Sequence, residues 1–259
     1  MSRSIIPSIF VIKLLAALAL TLIYTYYYTD RSTADIFKYY DDSCVIFKSL
    51  YTSPWDYFRM VSGIDSSAAD LQHYYNECSY WFKEFDHKLY NDNRTVIRFN
   101  AVVMLFSYGH FFVHNVFASF VSIAGLMGIY KIFVKQFPEK KFELLVTVFL
   151  LPSVILWSSG ILKESLVIGV LGLAFYYLWN LLFEKIRPVT IPALLILSSL
   201  MLLIKLYVLF CVIPGVMFLF LTRYSKVKQY FFNALMVITV CLMVLTINHE
   251  LIGENSIIS

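Results

Sequence analysis

Long apolar stretches alternate with shorter polar connections along most of the chain. A membrane-spanning helix needs about 20 apolar residues, and several of these stretches reach that length or come close to it. The sequence contains seven of them: 5–28, 110–134, 142–157, 162–183, 191–204, 206–222 and 230–247. The pattern predicts an all-α fold, a polytopic membrane bundle of about seven crossings that forms one membrane domain, 1–259.

The stretch 191–222 decides the number of crossings. At about 1.5 Å per residue, a single helix over it would be about 48 Å long, which exceeds one crossing and barely allows two. Two short helices that meet near Lys205 would place the basic residues after position 222 in the cytoplasm. One tilted helix broken at Pro214 would place them outside. Charge bias favours the two short helices.

The basic residues cluster in alternate connections, and this sets the predicted orientation. They are Lys131, Lys135, Lys140 and Lys141, then Lys185 and Arg187, then Arg223, Lys226 and Lys228. The positive-inside rule puts these connections and the N-terminus in the cytoplasm, and puts loop 29–98 outside a bacterial inner (plasma) membrane. With 59% apolar residues, 15% charged residues and a mean hydropathy of +0.71, the chain does not resemble a soluble domain. The net charge of +4 therefore indicates orientation and not a nucleic-acid partner.

The first apolar stretch is expected to stay attached to the protein. It follows Arg3 and has no small-x-small cleavage site, which predicts a retained signal anchor. Lys13 lies inside this stretch, about 12 Å from its start along the helix. Its side chain is predicted to extend to the cytoplasmic surface, as lysines near helix ends commonly do.

The polar stretch 29–98 is unlike the other connections. Eleven of the 17 acidic residues lie between Asp30 and Asp92, together with many aromatic residues. Residues 32–35 resemble a helix capping box and are followed by apolar residues at helical spacing. A second helix is predicted from about residue 91 to a break at Gly109. We expect a partly helical extracytoplasmic loop inserted between the first and second transmembrane helices.

Cysteine and histidine spacing predicts no metal ligand set. Cys44 and Cys78 share the loop, and in an oxidising compartment they would either form one disulfide or remain free. His110 and His114 have the i, i+4 spacing of a metal pair, but no third ligand can be named, and ordinary hydrogen bonding is the simpler interpretation. The chain requires no soluble cofactor and is compatible with a divalent metal.

Carboxylates that follow the first crossing suit a general base, and cations near them suit the phosphate of a lipid-linked donor. Asp35 is the first choice for the base and Asp42 the second, while Asp41 and Glu164 are expected beside the substrate. Each has a structural alternative, since Asp35 would serve as a helix cap and the Asp41–Asp42 pair as a solvated face. The hypothesis requires these carboxylates to meet lysines from distant helix ends in one pocket.

Four basic residues are predicted to contact phosphate: Lys163, Lys205, Arg94 and Arg98. The two lysines lie at turns between short apolar helices, and the two arginines share one face of the predicted second loop helix. The alternatives are lysines that reach the membrane surface from helix ends and arginines that bind acidic lipids. Trp55 and Trp81 are candidates for stacking on sugar rings, or for the core of the loop.

Two stretches resemble bacterial polysaccharide-assembly membrane proteins of the GT-C glycosyltransferase and exopolysaccharide (O-antigen) polymerase type. The first is 30–42, DRSTADIFKYYDD, and the second is 151–164, LPSVILWSSGILKE. Such families place an acidic residue in the first outward loop, matched here at Asp35 or Asp42. They also carry a Pro-Ser…Trp/Tyr-x-Ser-Gly-x-x-Lys-Asp/Glu element between two later helices, and the second stretch matches it.

The resemblance implies a membrane glycosyltransferase or polysaccharide polymerase. Such a protein uses a polyprenyl-phosphate-linked sugar donor and a glycan acceptor on the outer face of the inner membrane. Family members usually have more crossings than this chain, which is therefore expected to be a fragment or a shortened relative. Two other classes compete: a transporter or flippase for lipid-linked glycans or small solutes, and a noncatalytic membrane assembly protein. Membrane lipids are expected partners in each case.

Overall fold

Helices make up the folded part of the chain described by this computed structural model, which covers residues 5–28, 30–82, 92–184 and 187–224. No strand occurs within those ranges, in agreement with the predicted all-α fold. The helices are α1 Ile5–Leu22, α2 Asp35–Thr52, α3 Pro54–Ser62, α4 Gln72–Tyr75, α5 Asp92–Ser107, α6 Phe111–Gln136, α7 Lys141–Leu145, α8 Pro152–Trp157, α9 Lys163–Phe183, α10 Thr190–Ile204 and α11 Leu206–Tyr224.

Three helical segments are long and apolar enough to cross a membrane: Ile5–Tyr27, Phe111–Gln136 and Lys163–Phe183. The first includes a π-helical turn, Ile23–Tyr27, that continues α1. Two further apolar helices are shorter, Thr190–Ile204 and Leu206–Phe220. The predicted stretch 230–247 lies outside the described residues, and so do Arg3, Lys185, Lys226 and Lys228.

The break predicted near Lys205 is present. Lys205 ends α10 with extended backbone, φ −153° and ψ 90°, and α11 begins at the next residue. The alternative break at Pro214 is wrong, because α11 runs through that proline. The chain also divides here into two compact units, Met1–Lys205 and Leu206–Ser259, and the described part of the second is α11. The candidate site lies in the first unit.

Glycines let α6 and α9 pack at very close range. A Cβ atom on Gly125 would lie 2.2 Å from Ile168 O, and one on Gly172 would lie 2.3 Å from Gly125 O. Small residues at a helix crossing permit this approach, which is a common way for apolar helices to associate in membranes. The two helices run parallel, since further along both of them Lys135 donates to Glu184.

Helices α1 and α10 flank this pair in the opposite direction. Ile9, near the start of α1, packs with Leu126 in the second half of α6. Thr21, near the end of α1, accepts a hydrogen bond from Asn115 in the first turns of α6, so α1 and α6 are antiparallel. The end of α10 lies beside the start of α9, and those two helices are therefore antiparallel as well.

Helices α2 to α5 form a layer beyond the end of α1. Ser53 caps α3 through its hydroxyl, and Gly63, with φ 81°, ends the same helix. The capping box expected at 32–35 is wrong in register, because α2 begins at Asp35 and its N-cap is Ala34. The core of the layer consists of apolar and aromatic side chains: Ile36, Tyr39, Ile46, Met60, Leu71, Tyr75, Trp81, Val96, Ile97 and Met104.

The stretch 142–157, predicted as one crossing, is not a continuous helix. It consists of α7, a π-helical turn Val146–Leu150 and α8, with Pro152 in the first turn of α8. Proline lacks an N–H, so it starts a helix readily but interrupts a preceding one. Residues 158–162, which we call the 158–162 connection, are nonhelical, buried and lead directly into α9.

Candidate functional site

Charged and phenolic side chains from separate parts of the chain surround Tyr39. This residue lies on α2 and is buried, and its hydroxyl donates to Asn93 Oδ1 of α5 at 3.3 Å. Burial raises the pKa of Tyr39, and the nearby negative charges of Asp35, Asp92 and Glu164 raise it further. Carboxylates from α2, α5 and α9 therefore all raise the pKa of one phenol.

Asp35 is held by a tyrosine from the segment after α4. The Tyr80 hydroxyl donates to Asp35 Oδ1 at 2.8 Å, and the Tyr80 carbonyl accepts from Asn93 at 3.2 Å. The other carboxylate oxygen of Asp35, Oδ2, meets no hydrogen-bond donor within the described residues. Burial and the hydrogen bond to Asp35 raise the pKa of Tyr80, so its hydroxyl stays protonated and remains a donor.

Two ion pairs bring the ends of three helices together. Lys163 Nζ lies 2.5 Å from Asp92 Oδ2, which joins the first residue of α9 to the first residue of α5. Lys205 Nζ, after α10, lies 2.7 Å from Glu164 Oε1. The side chains of the first pair are 13% and 14% exposed, so water screens this pair less than a surface pair. We call the whole group the Tyr39 cluster: Asp35, Tyr39, Tyr80, Asp92, Lys163, Glu164 and Lys205.

The structure thus brings together four of the residues singled out from sequence. Asp35 follows the first apolar helix, Lys163 and Glu164 start α9, and Lys205 ends α10. The ammonium group of Lys163 lies 5.8 Å from the centre of the Tyr39 ring, which places it within the cluster. The cluster combines carboxylates and cations in a half-shielded site, where proton transfer and anion binding are both chemically feasible.

Asp42 and Asp41 have other partners. Asp42 is 2% exposed, and its two oxygens accept hydrogen bonds from the backbone amides of Ser79, at 2.9 Å, and Tyr80, at 2.8 Å. Burial raises the pKa of Asp42, and these hydrogen bonds oppose the rise. Asp41 forms a surface ion pair with Arg31, whose Nη2 lies 2.6 Å from Oδ1. Asp42 therefore ties the segment after α4 to α2.

Arg94 and Arg98 share a face of α5, as predicted, and both lie against Trp81. Their guanidinium carbons are 5.3 Å and 5.4 Å from the centre of the Trp81 ring. Arg98 also donates to Met60 O at 2.8 Å and to Ser66 Oγ at 3.1 Å. Part of the donor capacity of this arginine pair therefore holds α3, α5 and the segments between them together.

The two tryptophans predicted to stack on sugars differ in exposure. Trp81 is 1% exposed and stacks on Tyr75 with ring centres 4.5 Å apart, so it belongs to the core of the layer. Trp55, on α3, is 64% exposed and stacks on Phe58. Of the two, Trp55 has the surface that a sugar ring can reach.

An apolar groove of about 450 Å³ adjoins the Tyr39 cluster. Its walls come from α3, α5, α6, α9 and α10. Arg98 lines it, and its apolar side chains include Val61, Phe99, Val102, Val121, Leu166, Val170 and Leu203. Three of these helices carry a cluster residue close to the groove: Asp92 starts α5, Glu164 lies in the first turn of α9 and Lys205 follows α10. Thr95, which also lines the groove, donates to Leu203 O at 2.9 Å. The groove therefore begins about one helical turn from the ion pairs.

His114 makes hydrogen bonds between two helices, and Cys44 and Cys78 do not form a disulfide. In the part of the chain that the structure describes, no group of three or more His, Cys, Asp or Glu side chains could hold a metal ion. His114 is buried, with Nδ1 2.8 Å from Asn100 Oδ1 and Nε2 2.9 Å from Ser107 Oγ. These hydrogen bonds join α5 to α6. Cys44 and Cys78 are free thiols, and burial raises the pKa of both.

Lys13 does not extend to a surface, and the prediction that it does is wrong. It is 1% exposed, and its ammonium group donates to Ser158 Oγ. Ser122 of α6 donates to Ser158 O at 2.7 Å, so α1, α6 and the 158–162 connection meet at one residue. We call this second polar group the Lys13 seam: Lys13, Ser122, Ser158 and Ser159.

Three members of the Tyr39 cluster escaped the sequence analysis. Asp92 stands at a helix start, where an acidic residue is ordinary, and Tyr39 and Tyr80 are two of 19 tyrosines. A signal did exist for Tyr39, which lies one helical turn after Asp35 and so on the same face of α2. Nothing local marks Tyr80, because 45 positions separate it from Asp35.

Comparison of the chain with known protein families, with curated proteins and with solved structures found no match.

Proposed function

We propose that this chain is a membrane glycosyltransferase or polysaccharide polymerase that transfers sugar from a polyprenyl-phosphate-linked donor to a glycan acceptor. One observation carries the proposal: Asp35, held by Tyr80, and Lys163 lie around Tyr39, with the Lys205–Glu164 pair at the adjoining residue of α9 and an apolar groove beside them. Sugar transfer from such a donor needs the same three elements. They are a base for the acceptor hydroxyl, positive charge for the phosphate and apolar surface for the lipid.

Asp35 is the proposed general base. The Tyr80 hydroxyl orients it through Oδ1, which leaves Oδ2 to accept a proton. As the acceptor oxygen bonds to the sugar carbon, its proton passes to Asp35, and the bond between that carbon and the phosphate oxygen breaks. Asp42 is the weaker candidate, because both of its oxygens already accept backbone amide protons.

Lys163 and Lys205 are proposed to neutralise the phosphate, which leaves with the electron pair. Each ammonium already faces a carboxylate at 2.5 Å or 2.7 Å, so each is pre-oriented toward an anion. Charge-assisted hydrogen bonds are stronger in a partly dehydrated site, and they gain importance as charge develops on the leaving group. The proposed reaction needs no soluble cofactor.

The apolar groove is the proposed seat of the isoprenoid chain next to the phosphate. It runs from the first turns of α5 and α9 and the last turn of α10, the same turns that border the ion pairs. A donor with its phosphate at Lys163 would therefore extend its lipid along the apolar side chains of Leu166 and Val170. Trp55 is the exposed aromatic proposed for contact with sugar.

The proposal places the Tyr39 cluster and loop 29–98 on the outer face of the bacterial inner membrane, in a chain of seven crossings with a cytoplasmic N-terminus. Helix direction supports this orientation. Both α6 and α9 begin on the side of the cluster, and basic residues lie in the last turns of α6 or follow the far ends of the two helices: Lys131, Lys135, Lys140, Lys141 and Arg187. Clusters of Lys and Arg on one side of apolar helices favour the cytoplasmic side for that end.

The test compares glycan products in cells that carry Asp35→Asn, Lys163→Ala or the unchanged chain at matched membrane levels. Asp65→Asn is the control, since it neutralises an exposed carboxylate of the same loop that pairs with Arg59. Loss of a general base typically costs about 10²–10⁴-fold, so we expect Asp35→Asn to reduce product at least about 100-fold and Asp65→Asn to stay within about threefold. Unchanged products from both Asp35→Asn and Lys163→Ala would refute the assignment.

A transporter or flippase for lipid-linked glycans is the second candidate, and the Lys13 seam favours it. A buried lysine and nonhelical backbone between apolar helices are features of transport pathways. Purified protein in proteoliposomes separates the two functions. New glycosidic bonds support the transferase, whereas movement of intact labelled lipid-linked sugar across the bilayer without bond formation supports the transporter.

A further inference from the structure

The 158–162 connection runs along α1 from Lys13 toward the Tyr39 cluster. Ser158 contacts Lys13, and a Cβ atom on Gly160 would lie 3.5 Å from Leu20 and 4.0 Å from Ala17. Lys13 and Leu20 are seven positions apart on α1, which corresponds to a rise of about 10 Å. The connection therefore links two sites at different levels of the helix bundle.

The lower end of the connection completes the last turn of α8. Ser158 N and Ser158 Oγ both donate to Val154 O, and Ser159 Oγ donates to Ile155 O at 2.5 Å. The ammonium of Lys13 donates to the same Ser158 hydroxyl. The amino group of Lys13 thus reaches the carbonyl end of α8, the negative end of its dipole, through a relayed hydrogen bond.

Lys13 is costly where it lies. Among the residues that the structure describes, Ser158 supplies its hydrogen bond, and no carboxylate lies within ion-pair distance of it. A lysine at the centre of a membrane helix is costly on insertion scales, and an apolar side chain of similar length would avoid that cost. A lysine at this position therefore calls for a role beyond filling space.

The upper end of the connection is tied to the start of α9. Leu162 N donates to Gly160 O at 2.9 Å, and Ser165 Oγ donates to the same carbonyl at 2.8 Å. Gly160 has φ 108°, a conformation that favours glycine, and a Cβ atom there would lie 3.3 Å from Asn115 Oδ1. The position of the connection consequently sets where α9 begins, and α9 begins with Lys163.

We propose that Lys13 is a positioning residue. By holding Ser158 at the end of α8, it fixes the 158–162 connection and thereby the reach of Lys163 and Glu164 into the Tyr39 cluster. Within the described residues, Lys13 forms no hydrogen bond or ion pair with a member of that cluster. Its consequence for catalysis rests on the proposed function, whereas its effect on the connection does not.

Hydrogen exchange of the full chain in lipid nanodiscs tests this role. The readout is the exchange of the Leu162 and Ser165 amides, which donate to Gly160 O and Leu162 O. Lys13→Met keeps an apolar chain of similar length but removes the charge and the donors, whereas Lys13→Arg keeps both. Leu15→Met, at an exposed position of α1, is the matched control.

We expect Lys13→Met to speed exchange of these amides by at least about tenfold, with peptides from α2 and α6 unchanged. Lys13→Arg and Leu15→Met should stay within about threefold of the unchanged chain. Exchange in Lys13→Met that equals the unchanged chain would overturn the proposal. So would a rise of the same size in Leu15→Met.

A second variant covers the case in which Lys13→Met does not fold. Ser158→Ala removes the acceptor of the ammonium group and should produce the same local rise, and its absence would overturn the proposal. Where both variants fold, the double variant should exchange no faster than Ser158→Ala, because both changes break one hydrogen bond. An exchange rate in the double variant that rises by the product of the two single-variant factors would contradict a shared hydrogen bond between Lys13 and Ser158.

Product assays separate this inference from the proposed function. If the positioning role holds, product from Lys13→Met falls and Lys13→Arg restores most of it. If Asp35→Asn abolishes product while Lys13→Met exchanges and reacts normally, the positioning role fails and the function stands. If no variant changes the product, the exchange result still decides whether Lys13 holds the connection.

Discussion

Two lysines at opposite ends of the same connection are stabilised in different ways. Lys163 starts α9 and lies 2.5 Å from the carboxylate of Asp92, in a partly exposed site. Lys13 is buried and donates to a hydroxyl, that of Ser158, at the end of α8. The first lysine meets an opposite formal charge, and the second reaches a helix-end carbonyl through a serine.

The difference separates a site suited to chemistry from one suited to structure. The Tyr39 cluster adjoins a groove and retains some solvent exposure, so an incoming anion can compete for its lysines. The Lys13 seam is sealed, because Ser122, Ser158 and Ser159 are fully buried. A nonhelical connection of residues 158–162 joins the two, so the proposed positioning role would make the geometry at Lys163 depend on the sealed end.

The largest expected effect comes from the contact on which both regions depend, the crossing of α6 and α9. Helix α6 carries Ser122 of the seam, and α9 carries Lys163. The valine in Gly125→Val would collide with backbone, since a Cβ atom there lies 2.2 Å from Ile168 O. Overpacking against backbone that cannot move should lower the free energy of unfolding by about 3 kcal/mol, measured by thermal denaturation in detergent.

The matched control for this crossing is Gly215→Ala on α11. A Cβ atom at Gly215 has nothing within 4 Å, and alanine is the better helix former, so we expect a change below about 1 kcal/mol in the stabilising direction. If Gly215→Ala lost as much stability as Gly125→Val, the close approach of α6 and α9 would not explain the loss.

An intermediate effect should distinguish the two ion pairs within the Tyr39 cluster. Asp92→Asn leaves Lys163 facing a neutral group in a shielded site, and we expect a loss of about 2 kcal/mol. Glu164→Gln should cost less than about 1 kcal/mol, because Glu164 is 38% exposed and solvent screens its pair with Lys205. Denaturant titration at low and at high salt provides the measurement, and high salt should remove only the second loss. If each variant lost as much stability at high salt as at low salt, the result would contradict the difference in solvent shielding between the two ion pairs.

The smallest effect is expected from pH, through two carboxylates of the layer that titrate in opposite senses. Burial raises the pKa of Asp42, whereas hydrogen bonding to Arg59 lowers the pKa of Asp70. The Asp42 contribution to stability is thus present below its ordinary pKa of 3.8 and is lost as pH rises through its folded value. The Asp70 contribution is present above 3.8 and is lost as pH falls through its lower folded value.

Asparagine at each position should remove the corresponding slope. In a pH titration of unfolding free energy, Asp42→Asn should flatten the loss above about pH 4, and Asp70→Asn should flatten the loss below it. These variants provide the background from which any pH response of the Tyr39 cluster has to be separated. Two variants with the same pH profile would contradict the opposite directions of the shifts.

Local signals predicted much of the helix layout. The apolar run that ends near Lys205 predicted the break between α10 and α11, and Gly109, with φ 84°, lies just beyond α5 as expected. The same reasoning misjudged Lys13, because its partner Ser158 lies 145 positions away. It also placed the start of α2 too early. A capping box at 32–35 would begin the helix after residue 32, whereas Ala34, with extended backbone, is the N-cap and α2 begins at Asp35.

The sequence by itself determined the apolar helices, most of their ends and the acidic, aromatic character of the layer, because hydrophobic periodicity and turn residues act between near neighbours. Only the tertiary structure decided that Asp35 and Lys163 share the surroundings of Tyr39, that Lys205 pairs with Glu164 and that Lys13 is enclosed. Those meetings depend on how α1, α6, α9 and α10 cross. The crossings are set by backbone approach at glycines and by hydrogen bonds between distant residues, which no local pattern specifies.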